Sequence, residues 1–206
     1  IKGLEYYSGT QKTSLKRIEK ELLKIDSFIT QIESEFGFVI EELEYGPGYP
    51  VSYFQDDKFF NDEQYAEELN NLIKSLNFKR KITIEIGRGV AACCGTYYTK
   101  VVDTKTTENQ NYAIVDGGMN HLVYFGQMMA MKRPYFSIIP NRNENLKNWN
   151  VCGALCSVND IVMKQVEIDL DVNDILCFKN TGAYSMTEGI SCLLYTSPSP
   201  RDPKTS

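Results

Sequence analysis

The sequence has 206 residues and a net charge of −5, and its acidic and basic residues are mixed along the whole chain. A chain of this length can bury a core without help from disulfides or metal ions. No cluster of lysine and arginine is dense enough to follow a phosphate backbone, and no apolar run approaches the roughly 20 residues that a membrane span requires. We therefore expect a cytoplasmic protein that binds neither nucleic acid nor membrane.

Residues 1–89 alternate between short apolar strands and amphipathic helices. The predicted strands are IKGLEYY, FVIEELEY and KITIEIGRG. One helix is predicted after the capping hydroxyls of SGT, through QKTSLKRIEKELLKIDSFITQIES, and a second one, NDEQYAEELNNLIKSL, begins at Asn61. Such strand–helix repeats of about 40 residues are typical of units on a parallel sheet. This part of the chain has too few strands to close a barrel.

From residue 90 to residue 190 the helical period stops. Short alternating runs follow one another, separated by Asn, Asp, Gly and Pro: TYYTKVVDTK, NYAIVDG, HLVYFG, YFSIIP, NVCGALC, DIVMKQVEI and DILCFKN. They predict an antiparallel β domain, either a sandwich or a barrel. From Ser191 the composition changes to Ser, Pro, Thr and Lys, so we expect residues 191–206 to be a non-native or disordered tail.

Six cysteines and a single histidine limit the chemistry that the chain can perform. The cysteines do not form the paired C-x-x-C knuckles of zinc sites, and His121 alone cannot build a site with several imidazoles. No metal is expected. We expect most of the cysteines to be small buried hydrophobic residues.

Two glycine-containing segments follow predicted strands of the first part. The glycines of GPGYP (46–50) serve either ordinary turn geometry or the close approach of a phosphate at a helix N-terminus. In EIGRG (85–89), Glu85 and Arg88 form either a salt bridge at the rim or part of a site at the carboxyl end of a barrel strand.

Two further segments lie in the β domain. GAY (182–184) places Tyr184 beside a tight turn, either as a half-buried core aromatic or as a binding residue. In GALCSVND (153–160), Cys156 is followed by Asp160, and the thiol has packing, a disulfide or proton transfer as possible roles.

The order of these segments, together with DGGMN (116–120), resembles the pyridoxal-phosphate-dependent decarboxylases with an alanine-racemase-like barrel, the diaminopimelate and ornithine decarboxylase family. IKGLEYYSGTQ is similar to G-L-H-x-H-I-G-S-Q of the diaminopimelate decarboxylases, VDGGMNHLV to D-A-G-M-N-D-L, and VCGALCSVND to V-G-P-x-C-E-S-x-D. The resemblance implies an α/β plus β fold: the last βα units of a truncated TIM-like barrel, followed by a C-terminal β domain that carries the catalytic cysteine.

The resemblance also implies a site for pyridoxal 5′-phosphate. Glu85 would pair with the protonated pyridine nitrogen, and Tyr7 falls where the family has a histidine that stacks on the ring. The cofactor phosphate would be held by Gly46, Gly48, Ile86, Gly87, Arg88 and Tyr184. Pro47 replaces the middle glycine of the phosphate turn and has no amide to donate.

By the same resemblance, Cys156 is the general acid that returns a proton to the substrate's α-carbon, and it reaches the site from the other subunit of a homodimer. The substrate-binding residues would be Arg88, Ser157, Asp160, Tyr184 and Tyr124. Asp160 is either a carboxylate near the substrate or a turn cap. Ser157 stands where relatives have an acid that reads the distal amino group, which favours a diamino acid other than diaminopimelate as the substrate.

The expected function is decarboxylation of a small amino acid, with diaminopimelate converted to lysine as the first candidate. The alternatives are another diamino acid, such as ornithine or lysine, and a non-catalytic homologue that binds the cofactor or a partner subunit. No lysine of this sequence matches the residue that bonds covalently to the cofactor in the family. We therefore expect a fragment that is inactive by itself.

Overall fold

The computed structural model describes residues 1–57, 61–127 and 130–190. The chain divides into two compact units, Ile1–Ser52 with Lys58–Val90 and Tyr53–Asp57 with Ala91–Ser206. The division falls after Val90, close to the predicted end of the βα units. Cys192 and the predicted tail, residues 191–206, lie outside the described residues.

The first unit is built on a three-stranded parallel sheet in the order β1-β2-β3. Its elements in chain order are β1 (Gly3–Tyr7), α1 (Leu15–Phe36), β2 (Glu42–Gly46), α2 (Asp62–Ser75) and β3 (Lys81–Ile84), followed by the short helix α3 (Gly87–Ala91). The strands are parallel because each long helix returns the chain to the same end of the sheet before the next strand begins. The predicted alternation of strands and helices is present.

The core of the first unit lies between the two long helices and the sheet. The apolar residues of α1 recur at spacings of three and four, and four of them are at most 4% exposed: Ile18, Leu22, Ile25 and Ile29. They share one cluster with Leu43 and Tyr45 of β2 and with Tyr65 and Leu69 of α2. Full burial of an aliphatic side chain stabilises the fold by about 1.5–3 kcal/mol, so this stripe holds α1 on the sheet.

Helix α1 begins later than the sequence predicts. Its N-cap is Ser14, and the SGT segment lies before the helix. The reason is that the intervening residues bind another loop: the amide of Lys12 donates to the carbonyl of Gly48 at 2.9 Å, and the side chain of Gln11 bonds the backbone of Val51. Helix α2 begins as predicted, because Asn61 accepts the amide of Gln64 at 3.0 Å.

The second unit contains one six-stranded sheet in the order β6-β9-β4-β5-β7-β8. A 3₁₀ turn, Ala92–Cys94, leads into it. The strands are β4 (Thr96–Thr107), β5 (Gln110–Val115), β6 (Phe136–Ile139), β7 (Lys147–Cys152), β8 (Ile161–Ile168) and β9 (Ile175–Lys179).

This sheet is mixed, whereas the sequence predicted antiparallel pairing throughout. Strands β5 and β7 run parallel, with Tyr112 opposite Asn150. A tight turn forces neighbouring strands to be antiparallel, but the chain between β5 and β7 is long and includes β6, so it can return in the original direction.

The predicted strand HLVYFG is also wrong. The amides of His121 and Leu122 both donate to the carbonyl of Gly118 at 3.0 Å, so they form a turn and cannot join a ladder. The alternation that suggested a strand reflects the burial of Leu122 and Tyr124 in this irregular segment.

The prediction that most of the cysteines are buried is wrong for the described ones. Cys177 is buried, Cys152 is half-buried, and Cys93, Cys94 and Cys156 are exposed. The exposed thiols lie in the 3₁₀ turn and in a loop, where no strand pairing encloses them. In the described ranges no group of three or more His, Cys, Asp and Glu residues is placed to hold a metal ion, and no helix has the length and apolar character needed to cross a membrane.

Candidate functional site

Three predicted cofactor residues lie at neighbouring strand ends of the first unit. Tyr7 is the last residue of β1 and pairs in register with Gly46, the last residue of β2. Glu85 follows β3 directly, and its amide donates to the carbonyl of Tyr45 at 3.0 Å. Parallel strands have their carboxyl ends on the same side of the sheet. This side therefore carries Tyr7, Gly46 and Glu85 next to one another.

Gly46 and Tyr7 are in close contact. A β-carbon at Gly46 would lie 2.7 Å from Cδ2 of Tyr7, so only glycine allows the ring to rest against the backbone there. The Tyr7 side chain remains 57% exposed. The aromatic residue at the position of the family's histidine therefore stands beside the glycine-rich turn.

The turn after β2 is locked to the loop after β1. Gly48 has a φ of +66°, and a β-carbon there would lie 2.1 Å from the carbonyl oxygen of Gly9. The bond from Lys12 to Gly48 and the pair of bonds between Gln11 and Val51, 2.8 and 2.6 Å, tie the same two loops together. The conformation of the GPG turn is thus fixed within this unit.

A second carboxylate stands beside Glu85. Glu44 of β2 is half-buried and forms a side-chain hydrogen bond with Glu85, which raises the pKa of Glu44 above its ordinary value. The sequence analysis missed Glu44. Its signal was the alternation in FVIEELEY, where Glu44 lies on the face opposite to the buried Leu43 and Tyr45.

The other predicted phosphate residues follow Glu85 directly. Ile86 is half-buried, Gly87 is exposed and begins α3, and Arg88 is 9% exposed. The amide of Val90 donates to the carbonyl of Ile86 at 3.0 Å, which starts the helix immediately after the strand end. A salt bridge at the rim would leave the Arg88 side chain exposed to solvent, but Arg88 is buried.

In the second unit, Tyr184 lines a cleft of about 500 Å³. Tyr184 has a φ of +60° and is 52% exposed. Six hydroxyl-bearing residues line the cleft together with Gly95, Gly182 and Met186; they are Thr96, Tyr97, Tyr98, Thr181, Tyr184 and Thr187. The described lining carries no charged side chain.

The position of Tyr184 depends on two glycines that approach each other closely. The amide of Gly182 donates to the carbonyl of Ala92 at 3.0 Å, and a β-carbon at Gly95 would lie 2.4 Å from the nitrogen of Gly182. The 3₁₀ turn therefore holds the TGAY turn two residues before Tyr184.

The sequence analysis did not connect Tyr97 with His121, the single histidine. The Tyr97 hydroxyl lies 3.0 Å from Nδ1 of His121. Burial raises the pKa of Tyr97, and the nearby carboxylates of Asp116 and Asp160 raise it further. No local pattern could have paired these residues, because 23 residues separate them in the chain and the turn after β5 brings them together.

Cys156 lies in the loop between β7 and β8 of the second unit. Its thiol and the Ser157 side chain are exposed, and Val158 is 81% exposed. Asp160, four residues after Cys156, is only 2% exposed. Its carboxylate accepts the amides of Met119 and Leu155, both at 2.8 Å, which is the geometry of a turn cap.

Tyr124, a predicted substrate-binding residue, lies in the core of the second unit. It is 1% exposed, packs against Tyr53 and Phe54, and donates its hydroxyl to the carbonyl of Lys179. Burial raises the pKa of Tyr124 well above its ordinary value. These contacts give Tyr124 a packing role.

The predicted site residues thus form two groups, one on each unit. Comparison with known proteins assigns the chain to a family. The sequence pattern described as "Pyridoxal-dependent decarboxylase, C-terminal sheet domain" matches residues 26–182. The chain belongs to this decarboxylase family. The resemblance seen in the sequence is confirmed, and the exposed Cys156 loop lies within the matched residues.

Two of the similar proteins are named as decarboxylases. The L-glutamyl-(BtrI acyl-carrier protein) decarboxylase of Niallia circulans is 27% identical over 197 residues, covering 90% of this chain and 46% of that protein. The diaminopimelate decarboxylase of Methanocaldococcus jannaschii is 27% identical over 194 residues, covering 91% and 43%. The chain spans less than half the length of these relatives.

Solved structures show the same fold. The diaminopimelate decarboxylase of M. jannaschii in complex with L-lysine superimposes with a TM-score of 0.77 at 23% identity, covering 91% of this chain and 43% of that one. The lysine/ornithine decarboxylase of Vibrio vulnificus in complex with cadaverine gives 0.79 at 22% identity, covering 92% and 50%.

Proposed function

We propose that the full-length protein is a pyridoxal-phosphate-dependent decarboxylase of amino acids. The observation that supports this most is the placement of Tyr7, Gly46 and Glu85 at neighbouring strand ends, in a chain of the decarboxylase family. Barrel enzymes keep their reactive groups at the carboxyl ends of their strands. The first unit would be the last part of a (β/α)8 barrel, and the second its C-terminal β domain.

The side chains at these strand ends fit pyridoxal phosphate by their chemistry. Glu85 is an exposed carboxylate that can accept a hydrogen bond from the pyridine nitrogen, and Tyr7 offers a partly exposed aromatic face. The backbone of Gly46 and Gly48, on either side of Pro47, is proposed to bind the phosphate. The remaining phosphate contacts are proposed for the backbone of Ile86, Gly87 and Arg88 and for the hydroxyl of Tyr184.

Bound pyridoxal phosphate supplies an electron sink for the electron pair that remains on the α-carbon when carbon dioxide leaves. Glu85 would keep the ring nitrogen protonated, and Arg88 would bind a substrate carboxylate. The Cys156 thiol would act as a general acid and return a proton to the α-carbon. A thiol suits this role because it carries a proton that it can transfer to a reacting atom within reach.

We further propose that Cys156 acts in the active site of a second copy of this chain in a homodimer. The thiol lies in an exposed loop, so it can enter a partner's site without disturbing its own unit. Isologous dimers place the same loop of both copies at the interface, which would give two equivalent shared sites.

The first substrate candidate is diaminopimelate, with a second diamino acid such as ornithine or lysine as the alternative. Both choices follow from the names of the relatives, which include diaminopimelate and lysine/ornithine decarboxylases. In either case Arg88 would hold a carboxylate, and the distal ammonium would need an acceptor that Ser157 offers only as a neutral hydroxyl.

Ser157 supports a further candidate substrate without a distal ammonium group. A hydroxyl cannot neutralise a buried ammonium ion, and a site whose charged partner is missing discriminates strongly against such a group. A glutamyl group carried on an acyl-carrier protein, the substrate named for the Niallia circulans relative, has no such ammonium.

The test uses the full-length protein encoded by the source transcript. Addition of pyridoxal phosphate should produce a visible absorbance band, and carbon dioxide release should be measured with diaminopimelate, lysine, ornithine and a glutamyl acyl-carrier protein. Glu85→Gln should alter the band, and Tyr184→Phe should weaken cofactor binding. Absence of the band would overturn the proposal. A band without carbon dioxide release from any of the four substrates would favour the non-catalytic homologue.

A further inference from the structure

The loop that carries Cys156 is closed by its last residue. The amide of Gly153 donates to the carbonyl of Asp160 at 2.8 Å, and the amide of Asp160 donates to the carbonyl of Ser157 at 3.1 Å. From Cys156 to Asn159 every residue is exposed, and Asp160 alone in the segment 156–160 is buried. The buried end of this exposed loop is therefore a carboxylate.

The Asp160 carboxylate joins two segments that are distant in the sequence. Its Oδ1 accepts the amide of Met119 in the DGGMN segment, and its Oδ2 accepts the amide of Leu155, the residue before Cys156. Both distances are 2.8 Å. The amide of Ala154 also donates to the carbonyl of Gly117 at 2.8 Å, so the same two segments are joined twice.

Two glycines make room for this carboxylate. A β-carbon at Gly118 would lie 2.5 Å from Oδ1 of Asp160, and one at Gly153 would lie 2.2 Å from Oδ2. Backbone thus encloses the carboxylate on both sides while each oxygen accepts an amide. Because Asp160 is only 2% exposed, its carboxylate is closed to a substrate, although it lies only four residues from the Cys156 thiol.

We propose that Asp160 is a positioning residue for Cys156: it anchors the thiol loop to the DGGMN segment and so fixes the peptide next to the thiol. The inference rests on the proposed role of Cys156 as proton donor. It adds that Asp160 holds the Cys156 loop in the position which that role requires. Hydrogen bonds to an ionised acceptor are the stronger ones, and a general acid must be held within reach of the atom that it protonates.

The experiment compares Asp160→Ala and Asp160→Asn with the wild-type full-length protein. In Asp160→Ala, the Met119 and Leu155 amides should exchange with deuterium about tenfold faster, because their local opening no longer breaks a bond to a carboxylate. Iodoacetamide should alkylate Cys156 faster while the rates of Cys93 and Cys94 stay unchanged. Asp160→Asn keeps one acceptor oxygen and should be intermediate.

Asp169→Ala is the matched control. Asp169 is 4% exposed in the same unit, and its Oδ2 accepts the amides of Glu144 and Asn145 at 2.9 and 3.0 Å. The variant removes an equivalent carboxylate from a different loop, so it should lower stability without changing exchange at Leu155 or alkylation of Cys156.

Two results would overturn the positioning role: unchanged exchange and alkylation in Asp160→Ala, or equal increases in Asp169→Ala. In a turnover assay in D2O, the wild-type enzyme should add deuterium to one face of the substrate's α-carbon. Asp160→Ala should reduce that selectivity without altering cofactor affinity. Unchanged turnover and selectivity in Cys156→Ala would refute the proton-donor proposal. That result would leave the anchoring of the loop by Asp160 untouched, because the exchange experiment does not depend on activity.

Discussion

The α-carbon of Gly48 packs directly against the carbonyl oxygen of Gly9, so closely that a β-carbon at Gly48 would lie 2.1 Å from that oxygen. This contact joins the turn after β2 to the loop after β1. The contact accounts for a glycine at position 48, because the turn needs a φ of +66° there and leaves no room for a side chain.

Gly48→Ala should therefore destabilise the protein more than an ordinary glycine replacement. Gly37 is the matched control, because it has a similar φ of +68° and nothing within 4 Å of its added β-carbon. Positive φ alone costs alanine about 1–2 kcal/mol, and Gly48→Ala adds a backbone clash to that cost. Urea unfolding midpoints measure both. If both alanine variants lower the urea midpoint equally, the two loops are free to separate and the contact between Gly48 and Gly9 does not constrain them.

A buried ion pair beside this turn provides a second test. The Lys12 side chain is 2% exposed and its Nζ lies 2.7 Å from Oε2 of Glu21. Lys12→Met should cost about 3 kcal/mol, since it removes the buried cation of the pair and leaves the Glu21 carboxylate only the exposed Arg17. Arg17→Met is the control: Arg17 also contacts Glu21 but is 63% exposed, so its loss should cost under about 1 kcal/mol.

The same pair should govern stability in acid. Burial alone would raise the pKa of Glu21, but the hydrogen bonds from Lys12 and Ser8 outweigh it and hold the pKa below its ordinary value of 4.5. A depressed pKa contributes stability above 4.5 that is lost as pH falls through the folded-state value. In Lys12→Met the pKa of Glu21 is no longer held down, so the loss of stability relative to wild type should be largest above pH 4.5 and should shrink as pH falls. A difference in unfolding free energy that stays constant from neutral to acid pH would contradict the assignment.

Glu44 should show the opposite dependence on pH. The hydrogen bond with Glu85 raises the pKa of Glu44, so the folded state holds this proton more tightly than the unfolded chain. Stability from Glu44 is therefore present at low pH and declines as pH rises from the ordinary value to the raised one. Glu85→Gln should lower the Glu44 pKa, measured by carboxyl carbon NMR. The same Glu44 pKa in wild type and in Glu85→Gln would refute the hydrogen-bonded pair.

Tyr124→Phe distinguishes packing from substrate binding. The Tyr124 hydroxyl donates to the Lys179 carbonyl inside the core, so its removal should cost about 1 kcal/mol of stability and leave the KM for substrate unchanged. Tyr184→Phe is the comparison, because Tyr184 is 52% exposed and should affect cofactor affinity more than stability. A raised KM in Tyr124→Phe would restore the substrate role.

The sequence predicted the first unit well because its signals are local and periodic. Ile18, Leu22, Ile25 and Ile29 mark one face of α1 by their spacing, and the strands around them are short apolar runs. It failed where segments far apart meet. The parallel pairing of β5 with β7 depends on a long connection whose path no local pattern records, and HLVYFG alternates although its amides close a turn.

The sequence by itself determined the family, since the spacing of EIGRG, DGGMN, GALCSVND and GAY needs no coordinates. Tertiary structure alone decided what individual side chains do. It buried Tyr124, placed Glu44 against Glu85, and enclosed the Asp160 carboxylate between Gly118 and Gly153. The physical reason is that motif spacing follows the chain, whereas burial and hydrogen bonding depend on which segments the fold brings within a few ångströms of each other.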